Sequence, residues 1–121
     1  MRFVSWNVNG LRAAIRKGID GYFEDLKADV VMLQETRTLE EQLPKDWAWP
    51  TGWDVTLHPA EKKGYSGVAT ASTTAHAVVA RGKGGVLDPS DSEGRVLVCE
   101  VNGVVCVNTY LPSGSNKDER Q

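Results

Sequence analysis

Two polar side chains that each follow a short apolar segment could together bind a hard metal ion. Asn7 ends a strand-like segment that starts at Arg2, and Glu35 directly follows the apolar run 29–34. Mg²⁺ prefers oxygen ligands and is commonly held by one or two carboxylates together with substrate phosphate. Carboxylates after strands are also common in exposed loops, so the spacing alone leaves a metal site and an ordinary loop residue both open.

Two further segments could contact a phosphate group. Tyr110 ends another strand-like segment, where its phenol could donate a hydrogen bond, although a tyrosine at the edge of the core fits the same position. The segment from Lys62 to Gly67 combines cations with glycines, and it could either approach a phosphate or form a solvated hairpin tip. His58 and His76 lack the spacing of metal ligands, and we interpret them as structural or surface residues.

The apolar pattern predicts a strand, helix and strand that would position Asn7 and Glu35. After the first strand, Asn9-Gly10 indicates a turn, and apolar residues then recur every three or four positions, with the best-defined helix from Ile19 to Lys27. The run 29–34 has the length and apolarity of a strand buried on both faces of a sheet. Since parallel strands end at the same edge of a sheet, we expect the two side chains to converge there.

The remaining segments predict a loop and further strands. Residues 38–52 are polar and contain Trp47 and Trp49, which we expect to cover the edge of the core. Strands are predicted at 53–58, 68–72 and 76–80, with a surface connection at 82–94.

Asn102-Gly103 predicts the turn of a β-hairpin between strands 95–101 and 104–110. If Val101 pairs with Val104, Cys99 lies opposite Cys106 on one face of the hairpin. The thiols are then neighbours, which allows a cross-strand disulfide or two buried free thiols. Two cysteines are too few for a disulfide scaffold, and we favour free thiols.

Composition limits the class of protein. The chain has 121 residues, 40% of them hydrophobic and 25% charged, which suits one globular domain. No apolar run approaches the roughly 18 residues of a membrane span, and the first residues show no secretory signal, so we expect a cytoplasmic protein without a membrane partner. With a net charge of −2, the chain lacks the excess of basic residues typical of many nucleic-acid binders. Any phosphate binding must therefore depend on a local group of residues.

Four segments in this order resemble the exonuclease III type of AP endonuclease, namely 5–12 (SWNVNGLR), 33–36 (LQET), 64–69 (GYSGVA) and 108–114 (NTYLPSG). The wider endonuclease/exonuclease/phosphatase superfamily shares Asn7 and the Gln34-Glu35 pair. By contrast, the segment from Asn9 to Arg12 resembles the DNA-repair branch, which disfavours a phosphatase of small phosphoesters.

The resemblance implies a catalytic centre. Glu35 matches the family's metal-binding glutamate, Asn7 matches the asparagine beside the metal and the scissile phosphate, and Tyr110 matches the catalytic tyrosine. Such enzymes use Mg²⁺, with Mn²⁺ as a substitute, to incise the phosphodiester 5′ to an abasic site, and many also trim 3′ ends. An activated water attacks in line while the metal stabilises charge on the phosphate.

The resemblance also implies a DNA partner and an incomplete site. Arg12 and Tyr65 match positions that contact the backbone of double-stranded DNA. Asn9 occupies a neighbouring motif position, where it would help to order the site, and we count it with the DNA-binding residues. Family members are roughly twice as long, and this chain lacks their Gly-Asp-x-Asn and Ser-Asp-His motifs. We therefore expect residues 1–121 to form the N-terminal part of one domain, and an inactive fragment with weak metal or DNA binding is the alternative to an enzyme.

The expected fold is α/β, the first half of a four-layer α/β sandwich that supplies mainly one mixed sheet with a flanking helix. A helix start at Ser115 has little chain left to continue it. The strand 104–110 is apolar on both faces, so we expect self-association or binding to a complementing C-terminal half.

Overall fold

The computed structural model describes residues 1–60, 64, 66–81 and 94–110. Within these residues the chain forms β1 (Phe3–Asn7), α1 (Leu11–Arg16), α2 (Ile19–Asp25), β2 (Val30–Gln34), a 3₁₀ turn (Glu40–Gln42), β3 (Asp54–His58), β4 (Val68–Ser72), β5 (His76–Arg81), β6 (Val96–Val101) and β7 (Val104–Thr109). The predicted helix start at Ser115 and most of the predicted connection 82–94 lie outside the described residues.

The described strands form two sheets beside the two helices, which confirms the α/β class. The prediction named mainly one mixed sheet, and the chain supplies a second sheet as well. The larger sheet is mixed and has the order β1-β2-β4-β3, and the smaller sheet is antiparallel with the order β5-β6-β7. Strands β1 and β2 are parallel, with Phe3 paired to Val30 and Asn7 to Gln34. The predicted strand-helix-strand unit is therefore present, and its two strands end at the same edge.

The helical segment is divided in two. The best-defined predicted helix, from Ile19 to Lys27, is present as α2 but ends at Asp25, and the chain breaks before it at Gly18, whose φ of 86° is left-handed. A glycine adopts this conformation without steric cost, which explains the break. Both helices still bury apolar side chains in one core, namely Leu11, Ile19 and Phe23.

Tryptophans of the polar loop cover this core, as predicted. The rings of Trp49 and Phe23 lie 6.4 Å apart, and Trp47 donates a hydrogen bond of 3.0 Å from Nε1 to Asp20. Trp53 makes an edge-to-face contact with Phe23 at 5.0 Å. The loop between β2 and β3 therefore packs against α2 and fixes it on the sheet.

The hairpin register agrees with the prediction. Val101 pairs with Val104 and Cys99 with Cys106, and the backbone N–H of Tyr110 donates to the carbonyl of Arg95 at 2.8 Å. Both cysteines are buried free thiols. Burial raises the pKa of each thiol, so both remain protonated and unreactive at neutral pH.

His76 joins the two sheets at the end opposite Asn7, in keeping with the structural role predicted for it. Its ring nitrogens lie 2.8 Å from the Thr56 hydroxyl and 2.7 Å from the Ser72 hydroxyl. Its backbone N–H donates to Asp54 at 3.0 Å.

None of the described helices is both long and apolar enough to cross a membrane.

Candidate active site

Asn7 and Glu35 meet at the shared edge of β1 and β2. The amide Nδ2 of Asn7 donates to Glu35 Oε1 at 3.1 Å, and the backbone N–H of Asn9 donates to Asn7 Oδ1 at 2.9 Å. Both side-chain atoms of the Asn7 amide are therefore fixed. The parallel strand pair predicted this convergence, and the structure shows it.

Backbone hydrogen bonds hold the loops that follow β1 and β2 against each other. The N–H groups of Gly10 and Leu11 donate to the carbonyls of Glu35 and Thr36, both at 2.8 Å, and the N–H of Thr36 donates to Gly67 at 3.0 Å. Three loops, after β1, after β2 and before β4, thereby form one rigid rim around the carboxylate.

The rim contains a concentration of left-handed backbone conformations: Asn9, Gly10, Glu35, Arg37, Ser66 and Gly67 all have φ between 49° and 102°. Such conformations cost free energy in residues with a side chain and are concentrated at functional sites. Gly67 is also required by space, because a Cβ there would lie 2.4 Å from Thr36 Oγ1. The rim therefore holds its side chains in place with backbone conformations that themselves cost stability.

Glu35 accepts hydrogen bonds from three side chains. Besides Asn7, Arg37 forms an ion pair with Oε2, and the side chain of Tyr110 also donates to this carboxylate. Burial raises the pKa of Glu35, but the Asn7 hydrogen bond, the charge of Arg37 and the hydrogen bonds of Arg37 and Tyr110 outweigh it and leave the pKa below its ordinary value. The site thus holds an ionised carboxylate at neutral pH.

A buried amide network behind the site joins the two sheets. Asn108 of β7 is 1% exposed, and its Nδ2 donates to the carbonyls of Ala69 at 2.8 Å and Leu33 at 3.2 Å. Its Oδ1 accepts a hydrogen bond of 2.9 Å from Gln34 Nε2. Because Asn108 and Gln34 are close in sequence to Tyr110 and to Glu35 respectively, the network holds the ends of β7 and β2 that carry these two residues next to each other.

Next to the carboxylate lies a basic pocket of about 380 Å³, lined by Asn9, Gly10, Arg12, Ala13, Arg16, Arg37 and Gly64. Three of these residues carry a guanidinium group, although the whole chain has a net charge of −2. Arg12 Nη2 also donates to the Arg37 carbonyl at 3.2 Å. The positive charge of these arginines attracts an anion, such as a phosphate diester, to the pocket.

The structure brings together five of the six site residues predicted from the sequence. Glu35 is in direct contact with Asn7 and Tyr110, whereas Asn9 and Arg12 lie in the adjoining pocket. The sixth, Tyr65, lies outside the described residues. Their binding of a metal ion or of DNA stays a prediction.

Sequence reasoning missed Arg37 and Arg16. Arg37 follows Glu35 by two positions, and its cationic side chain could have been recognised as a partner of the carboxylate only with knowledge of the left-handed turn between them. Arg16 lies one helical turn after Arg12, so their spacing of four on a predicted helix was an available signal for a shared basic face.

The chain is similar to several nucleases. The model of the Endonuclease/Exonuclease/phosphatase family matches residues 4–113. The chain is 37% identical to the "Exodeoxyribonuclease" of Bacillus subtilis, over 99% of this chain and 46% of that protein. It is 32% identical to the "DNA-(apurinic or apyrimidinic site) endonuclease" of Dictyostelium discoideum, over 97% of this chain and 32% of that protein.

The fold of this chain is also similar to that of a solved structure. The "3' phosphatase NExo (D146N) from Neisseria bound to product DNA hairpin" superposes with a TM-score of 0.72 at 27% identity, over 91% of this chain and 41% of that one. The present chain thus spans less than half the length of each of these proteins. From the family match, and from relatives that are an exodeoxyribonuclease and an AP endonuclease, the chain belongs to the endonuclease/exonuclease/phosphatase family.

Proposed function

We propose that this chain supplies the metal-binding and phosphate-binding part of a DNA-repair nuclease, which hydrolyses the phosphodiester 5′ to abasic sites and trims 3′ ends. The observation that carries the proposal is the contact of Glu35 with both Asn7 and Tyr110 beside a pocket of three arginines. The names of the relatives in Bacillus and Dictyostelium support the same reaction class.

The oxygen atoms at the site fit Mg²⁺, with Mn²⁺ as a substitute. Glu35 offers an ionised carboxylate whose side chain is 14% exposed. Asn7 faces this carboxylate with Nδ2, and its Oδ1, which accepts from the Asn9 N–H, keeps a second lone pair for a metal ion. Hard oxygen ligands of this kind suit Mg²⁺, which keeps several waters and adds substrate phosphate to its shell. When bound, such an ion stabilises negative charge that develops on a phosphate during hydrolysis.

The protein's own side chains have separate roles in this proposal. Asn7 orients the Glu35 carboxylate, since its two amide atoms are fixed by hydrogen bonds on either side. Tyr110, whose phenol donates to Glu35 here, would turn this single hydrogen bond to a phosphate oxygen bound beside the carboxylate. Arg12 and Arg16 attract the DNA backbone into the pocket, and Asn9 shapes its wall.

We further propose that the 121-residue chain does not cleave DNA by itself. Glu35 and Asn7 offer a metal ion one carboxylate and one amide, and among the described residues no cluster of three or more histidine, cysteine or carboxylate side chains completes the set. Glu35 is a weak base, because its pKa is low and its oxygens already accept hydrogen bonds from Asn7 and Arg37. Removing residues that act together in catalysis costs nearly the whole rate enhancement.

Incubation of the purified chain with a duplex that contains one abasic-site analogue tests this proposal. The reactions contain Mg²⁺ or a chelator, and an undamaged duplex is the control for specificity. We expect no incision by a folded sample of the chain alone. Chelator-sensitive incision 5′ to the analogue would show that the site of the isolated chain is catalytically sufficient, and the proposal of an inactive fragment would be wrong.

The same proposal includes a partner for the exposed apolar side chains of the smaller sheet. Five valines of β5 and β7 are at least 41% exposed: Val78, Val79, Val104, Val105 and Val107. Val105 and Val107 are two positions apart on β7 and share one face of the sheet. Neighbouring exposed apolar side chains of this kind mark interaction surfaces or cause aggregation. We propose that a complementing C-terminal half or a second copy covers them.

Light scattering checks this prediction on the isolated chain. We expect dimers or larger species, and binding of an apolar dye to any monomer. Val105→Thr together with Val107→Thr keeps the β-branched shape and should shift the population towards monomer. A monodisperse monomer of the unmodified chain that binds no dye would contradict the prediction.

The buried free thiols fit a cytoplasmic location, which we include in the proposal.

A further inference from the structure

Arg37 occupies the same carboxylate that the proposed metal ion needs. Its Nη2 lies 2.5 Å from Glu35 Oε2, while Oε1 of this carboxylate accepts the hydrogen bond from Asn7. The Arg37 side chain is 47% exposed and the Glu35 side chain is 14% exposed, so the guanidinium is the more solvent-accessible member of the ion pair. A divalent cation and Arg37 carry charge of the same sign, so a cation that binds this carboxylate is repelled by the guanidinium and competes with it.

The backbone of Arg37 is fixed, whereas its side chain can move. Its N–H donates to the Ser66 carbonyl at 2.7 Å, and its carbonyl accepts from Arg12 Nη2 at 3.2 Å. The left-handed conformations of Glu35 and Arg37, with φ of 57° and 54°, hold the two side chains in contact. A half-exposed arginine on a fixed backbone can exchange one partner for another by side-chain rotation alone.

A second partner for the guanidinium is available beside the first. Arg37 lines the basic pocket that also contains Asn9, Arg12 and Arg16. A phosphate diester in this pocket would offer the guanidinium a paired set of oxygen atoms like that of a carboxylate. Loss of the ion pair with Glu35 therefore need not leave Arg37 without an anionic partner.

We propose that Arg37 is a displaceable counter-ion, which neutralises Glu35 until a divalent cation binds and then pairs with a DNA phosphate in the adjacent pocket. This inference rests on the proposed function, because it assumes that Glu35 is the metal ligand. It makes Arg37 a competitor of the metal in the absence of DNA. Removal of Arg37 should thus strengthen metal binding, an effect that structural damage would not produce.

The test is the affinity of the full 121-residue chain for Mg²⁺ and for Mn²⁺, measured by titration calorimetry without DNA. Arg37→Gln removes the guanidinium, and we expect about three- to tenfold tighter binding of both ions. Arg37→Lys keeps a cation beside Glu35 and should stay within about twofold of the unmodified chain. Arg16→Gln is the matched control, because Arg16 lines the same pocket but is not among the groups that bond Glu35.

The results separate this inference from the proposed function. Tighter binding by Arg37→Gln but not by Arg16→Gln supports the displaceable counter-ion. An equal gain in both variants would mean that only the general charge of the pocket matters and would overturn the inference, as would unchanged or weaker binding by Arg37→Gln. If neither the unmodified chain nor Arg37→Gln binds either ion, the metal site is itself wrong and both proposals fail.

Discussion

Asn108→Asp is expected to lower the free energy of unfolding by about 3 kcal/mol at neutral pH. The substitution keeps the size of the side chain but replaces the Nδ2 donor, which bonds the carbonyls of Leu33 and Ala69, with a carboxylate oxygen. An acceptor would then face two acceptors at a position that is 1% exposed. Urea denaturation followed by circular dichroism measures the loss.

The pH dependence of this variant identifies the cause of the loss. Burial beside carbonyl oxygens raises the pKa of the introduced carboxyl in the folded state above its value in the unfolded chain. Its destabilising effect therefore grows as pH rises above the unfolded-state pKa and is relieved as pH falls, when the protonated group can donate again. Asn102→Asp is the matched control, since Asn102 is exposed in the hairpin turn and aspartate tolerates its φ of 49°. Equal stability losses in the two variants would contradict the proposed role of the amide network.

Glu35→Gln is expected to weaken Mg²⁺ binding by on the order of 100-fold or more. Loss of residues that merely support a metal ligand costs about 10- to 100-fold, and this substitution removes the charged ligand itself. It also removes the ion pair with Arg37, but that pair is partly exposed and contributes little to stability. The fold should therefore survive, and titration calorimetry should report the loss of the metal alone.

A carboxylate at another position provides the control for charge. Glu100→Gln removes one negative charge from an exposed position of β6 and should leave the affinity for Mg²⁺ within about twofold. If Glu35→Gln binds Mg²⁺ as tightly as the unmodified chain, Glu35 is not the ligand and the assignment of the metal site is wrong.

Local sequence patterns predicted the strand pairings that are formed between segments close to each other along the chain. The Asn102-Gly103 turn determines which residues of β6 and β7 face each other, and the register of Cys99 with Cys106 followed from it. The parallel pairing of β1 with β2 likewise follows from a short crossover between two strands. These features depend on contacts within one supersecondary unit, which the sequence pattern contains.

Features that depend on distant segments could not be predicted in the same way. The position of β4 between β2 and β3 pairs Leu33 with Ala69 and Leu57 with Ala69, and no local pattern specifies that order. The contact of Asn108 with β2 and β4 depends on how two sheets pack. The ion pair of Arg37 with Glu35 depends on left-handed backbone conformations that only the folded rim stabilises.

The residues that meet at the candidate site could be predicted more completely than the packing that supports them. Asn7, Glu35 and Tyr110 were identified by their positions after strands and by resemblance, and they are in contact in the structure. Arg37 and Gln34 contribute to the same site, yet neither was assigned a role from the sequence. Their side chains act on Glu35 and on Asn108, so their importance becomes visible only with the three-dimensional contacts.

DNA binding as a function of Mg²⁺ tests most directly whether Glu35 and the basic pocket form one metal and phosphate site. The measurement is fluorescence anisotropy of a duplex with an abasic-site analogue, titrated with the 121-residue chain in Mg²⁺ and in chelator at equal ionic strength. Divalent cations weaken purely electrostatic binding to DNA because they compete for the phosphates. We predict tighter binding in Mg²⁺ and loss of this gain in Glu35→Gln, whereas equal or weaker binding in Mg²⁺ than in chelator would contradict the account.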